Sequence, residues 1–128
     1  MEVVVEVGGW EHACCGPAVE RHEVVDFSCT RAAHRDGRPY FICTHHDVEP
    51  VERVRGWVVD ICVLLDAGAR PVRRVPSGRA LRGFDPNDDG HLEDPWTNDV
   101  FTSSGGDFLV SVRLLSADVT SLESATQR

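Results

Sequence analysis

A chain of 128 residues, 41% hydrophobic and 27% charged, is one domain's worth of ordinary soluble globular sequence, long enough to close a single core. Its net charge of -8, with all 13 basic residues arginine, argues against the clustered positive surface on which nonspecific nucleic-acid binding rests. No apolar run approaches the roughly 20 residues of a membrane-spanning helix, and the opening residues lack the basic and apolar regions of a secretory signal. A cytoplasmic protein with neither nucleic-acid nor membrane partners is therefore expected.

In chain order, Glu2 to Val7 is Val-rich and reads as a strand, ended by Gly8-Gly9. Glu23 to Thr30 is a second strand, with Val25, Phe27 and Cys29 on one face and Asp26 and Ser28 on the other. The Asp36-Gly37 turn signal then joins it as a hairpin to a third strand over Tyr40 to Thr44. His45 to Pro50 is polar and reads as a loop. Arg53 to Leu65 is the longest apolar segment, expected as a central strand bent at Gly56, with Trp57, Val59, Ile61, Val63 and Leu65 sharing a face. Its β-branched content disfavours a helix.

Gly and Pro turn the chain between Asp66 and Pro76, and the arginines from Arg70 to Arg82 read as a solvated loop or edge. Asp85 to Trp96 is an acidic excursion. Val100 to Thr102 and Phe108 to Leu115 read as a closing hairpin. The expectation is a mainly β fold: a small antiparallel β-barrel or sandwich of about six or seven strands with little helix. Residues 1–115 form one domain and 116–128 a polar tail.

Two stretches concentrate the reactive side chains. Trp10 to Pro17 carries His12, Cys14 and Cys15, and Cys43 to Asp47 carries Cys43, His45 and His46. Five cysteines, an odd number in an intracellular chain, do not suggest a disulfide framework. Cys29 and Cys62 lie in apolar runs and read as small buried hydrophobes. Zinc takes four ligands from Cys sulfur and His nitrogen in structural sites. In extended backbone, residues i and i+2 face the same way, so His12 with Cys14 and Cys43 with His45 make one possible ligand set. Cys14, Cys15, His45 and His46 make the other, from irregular loops. The plainer account packs Cys14 or Cys15 in the core and leaves His45 and His46 solvated.

Trp10, the Cys14-Cys15-Gly16 triplet, and Val25 with Phe27 together resemble the opening of a family of short uncharacterised actinobacterial proteins. In that family a Trp precedes Cys-Cys-Gly by four residues, and an apolar residue, a Gly-Asp turn and a Val-x-Trp strand follow. Val19 takes the apolar place and His22-Glu23 the turn, with His22 standing where the family has glycine. His45-His46 before Gly56-Trp57-Val58 resembles a second family feature. The resemblance covers the first half of the chain, favours Cys14, Cys15, His45 and His46 as the ligands, and implies no activity.

The expected function is a zinc-stabilised β-domain that binds a protein partner or a second copy of itself. The alternative is a metal- or thiol-dependent enzyme, with Cys15 as nucleophile, His46 as base and Asp47 or Asp60 orienting it. Asp85-Pro86-Asn87-Asp88-Asp89-Gly90 also has the opening of a calcium loop, but its closing position is Trp96 rather than Glu, so an acidic surface turn is expected there.

Overall fold

A computed structural model of the chain describes residues 1–8, 16–35, 37–43, 52–102 and 106–115, with side chains for all of these except 33–35. The strands are β1 (Glu2–Val7), β2 (Val19–Glu20), β3 (Val24–Arg35), β4 (Arg38–Cys43), β5 (Glu52–Leu65), β6 (Gly68–Pro71), β7 (Arg74–Val75), β8 (Leu92–Glu93), β9 (Val100–Phe101) and β10 (Phe108–Leu114). A single helical turn, α1 (Gly78–Leu81), is capped by Ser77, whose hydroxyl accepts from the Ala80 amide at 3.2 Å. The fold is mainly β with little helix.

The main sheet runs β10-β1-β4-β3-β5-β6, and β10 also pairs with β5. The pairings among β10, β1, β4, β3 and β5 therefore form a ring. Only β1 with β4 is parallel; the other pairs among the described strands are antiparallel. Alternating side chains point into the ring: Val3, Val5 and Val7 from β1, Phe27 and Cys29 from β3, Phe41 and Cys43 from β4. Leu92 and Phe108 fill the same cluster.

β1 matches its expected bounds, and β3 with β4 forms the expected hairpin, Gly37 supplying a φ of 75° at its turn. Elsewhere the expected pattern is corrected. In β5 the buried residues are Val54, Gly56 and Val58, then Ile61 and Val63. The parity changes because Val58 opposes Val112 while Asp60 opposes Ser111, leaving Val59 as an extra residue, a β-bulge. Trp57 is thereby on the outer face, 45% exposed. Gly56 is needed for a different reason than a bend: a Cβ there would fall on the Arg113 carbonyl of β10.

The closing hairpin does not form either. Val100 and Phe101 pair with Glu93 and Leu92, whereas β10 lies between β1 and β5. Phe108, Val110, Val112 and Leu114 alternate inward, and that long apolar face is better buried in the ring than against a two-residue strand. Cys62, on the outer side of the bulge, is half-buried rather than in the core.

Candidate functional site

The described residues place the roots of the two reactive stretches. Val4, Val5 and Glu6 of β1 lie opposite Tyr40, Phe41 and Ile42 of β4 in parallel register. Continuing that register sets Val7 beside Cys43. Two parallel neighbours end at the same edge of a sheet, so residues 9–15 and 44–51 are joined to it at adjacent points on one end. Gly16 is anchored again through its carbonyl, which accepts from the Gly78 amide at 2.9 Å. His12, Cys14, Cys15, His45, His46 and Asp47 themselves lie outside the described residues.

Cys43 is inside the core, 4% exposed, and directly opposite the wholly buried Cys29. Asp60, a possible orienting carboxylate, is used locally: Oδ1 accepts from the Ile61 amide at 3.0 Å and stands 3.9 Å from Arg21.

A second cluster sits in residues 85–99. Four short turns there are closed by carboxylates accepting backbone amides two residues on: Asp85 from Asn87, Asp88 from Gly90, Asp89 from His91 and Asp94 from Trp96. Gly90 has a φ of 76°, and a Cβ on it would meet the Ala80 carbonyl at 2.7 Å, so this position needs glycine. Asp88, Asp89 and His91 bring three potential ligand atoms within 4.8 Å of one another. They line an open cleft of about 480 Å³ with Arg74, Pro86 and Asn87.

Each of these groups already has a partner. Arg74 binds both oxygens of Asp88, one at 2.7 Å, and this fork holds the Asp88 carboxyl down at about 2. The His91 ring contacts Asp89 through Nδ1 and Glu93 through Nε2, which raises its pKa above the ordinary 6.5. A calcium loop presents carboxylates towards an ion; here they are turned onto backbone amides, an arginine and a histidine.

Of the arginines expected in a solvated loop or edge, Arg70 does lie on the outer strand β6, but Arg70, Arg73 and Arg74 are paired with carboxylates rather than left to solvent. Arg70 donates to Asp94 at 3.3 Å and Asp99 at 3.1 Å and stacks 4.2 Å from the Phe101 ring centroid. Arg73 donates to Asn98 at 2.6 Å and pairs with Glu93 at 3.4 Å. Asp94, 6% exposed, also accepts the Trp96 amide at 2.8 Å, which lowers its pKa. The available signal was the order in sequence, an arginine-rich stretch followed directly by an acidic one.

No family model, curated protein or solved structure matches the chain. Its function is therefore argued from its own residues. Among the described residues, no helix is long and apolar enough to cross a membrane.

Proposed function

We propose that the chain is a small cytoplasmic β-domain held by one zinc ion, bound through Cys14, Cys15, His45 and His46, and that it acts by binding a protein partner or a second copy of itself. The observation that carries this reading is the parallel pairing of β1 and β4, which roots residues 9–15 and 44–51 at one end of the sheet. Thiolate and imidazole ligands select zinc over magnesium or calcium. The inward orientation of Cys43 favours Cys15 and His46 over the alternative set that uses Cys43. The family resemblance draws support from His22, whose φ of 69° is the left-handed conformation that glycine adopts without cost, at the place where the family has glycine.

Partner binding is supported by the outer face. Val24 and Trp57, directly opposed on β3 and β5, are 59% and 45% exposed. A metal- or thiol-dependent enzyme gains nothing from Asp60, which is engaged at the bulge.

The test is metal analysis of purified protein with thermal melts. Stoichiometric zinc is expected, with a melting temperature lowered by chelator and by Cys14→Ser. Structural zinc in small domains is worth on the order of 10 kcal/mol, so the loss will be large. Substoichiometric zinc, with a melting temperature indifferent to both, sinks the proposal.

A further inference from the structure

The thiol pair in the core is independent of the zinc reading. Cys29 and Cys43 are directly opposed on the antiparallel strands β3 and β4, face the interior together, are 0% and 4% exposed, and are both reduced. Their thiols are hydrogen-bonded to each other. Opposed residues of an antiparallel ladder have Cα atoms about 4.5–5.5 Å apart. That lies within the roughly 4.4–6.8 Å spanned by disulfides.

We propose that Cys29 and Cys43 are an oxidation site, at which a peroxide converts the opposed thiols into a cross-strand disulfide that fastens the C-terminal end of β4 to β3. Cys43, the more exposed of the two and the last residue of its strand, is the first sulfur to react. Its sulfur takes one peroxide oxygen as the O–O bond breaks, giving a sulfenic acid and one water. The Cys29 sulfur then displaces the hydroxyl, which leaves as a second water with the Cys29 proton. Two thiols and one peroxide thus yield one disulfide and two waters, the two electrons passing from sulfur to peroxide oxygen. The ladder already sets the spacing, so the bond forms without strand movement.

The hydrogen bond to Cys43, with burial, holds the Cys29 thiol well above its ordinary range. Few thiolates are present as a result, and closure is slow.

The test uses the intact wild-type chain. Reduced protein is exposed to hydrogen peroxide, alkylated in denaturant, digested with trypsin and mapped by mass spectrometry. The expected product links the peptide of residues 22–31 to that of residues 36–53, two hydrogens lighter than the sum, and dithiothreitol abolishes it. Cys62→Ser leaves the link and Cys43→Ser removes it. Because the readout is a mapped bond, it is independent of zinc content and needs no variant to fold. Cys29 and Cys43 still alkylated as thiols after exposure, or Cys43 linked instead to Cys14 or Cys15, overturns the proposal.

Discussion

Single residues carry two consequences of the cluster around Arg74 and His91. Asp88 has its carboxyl lowered from 3.8 to about 2 by the Arg74 fork, so its contribution to stability is present above pH 4 and lost as pH falls towards 2. His91 is shifted the other way by Asp89 and Glu93. Its contribution is present below the unfolded value of 6.5 and lost as pH rises through the higher folded value. Urea unfolding across pH is expected to show both slopes, with Asp88→Asn flattening the acid one and His91→Gln the one above pH 6.5. Slopes unchanged in both variants would mean that the cluster does not couple to folding. His22 gives a prediction of opposite direction. A left-handed backbone costs a residue with a side chain about 1–2 kcal/mol, and the His22 amide is held there by the Val58 carbonyl at 2.7 Å. His22→Gly is expected to raise the unfolding free energy by about 1 kcal/mol, and a loss of stability would refute the strain argument.

At the level of elements, the hairpin of β8 and β9 has only two residue pairs, Leu92 with Phe101 and Glu93 with Val100. So short a hairpin is not stable alone. Arg70 ties it to β6 by bonding Asp94 and Asp99 and covering Phe101. Arg70→Ala removes the charged donor from Asp94, which keeps only the Trp96 and Thr97 amides, and is expected to lower stability. Chemical denaturation will measure it, and Asp99→Asn is expected to cost less, since Asp99 is 66% exposed. Equal losses would place the anchor at Asp99 instead. The β3–β4 hairpin was legible because the Asp36-Gly37 turn and the alternation of Val25, Phe27 and Cys29 are local signals. The role of β10 was not. Its inward face is equally compatible with pairing to Val100 and Phe101, and only contacts with β1 and β5, distant in sequence, decide between them.

For the whole molecule, the ring of five paired strands leaves few edges among the described residues on which another chain can add. β6, the outer strand of the sheet, is four residues long and includes Pro71, which has no amide to donate. Self-association is therefore expected through the outer face at Val24 and Trp57, weak and dependent on apolar contact. Sedimentation equilibrium should show a monomer that dimerises as concentration rises, and Trp57→Ser should shift that equilibrium to monomer. A monomer at every concentration, or a dimer indifferent to Trp57→Ser, removes this surface from consideration.

Strand type, the bounds of β1, the β3–β4 hairpin and the mainly β class are all determined by the sequence alone, because period-two alternation and a Gly turn act over a few residues. The chemistry available to His12, Cys14, Cys15, His45 and His46 is likewise a property of the residues. Tertiary structure alone decided the rest. The bulge at Val59 moves Trp57 outward, β4 lies parallel to β1, Cys29 faces Cys43, and the arginines from Arg70 to Arg74 meet carboxylates many residues away. Each of these depends on the register between separate segments of the chain, and a one-residue shift in register changes which side chains meet while leaving every local pattern intact.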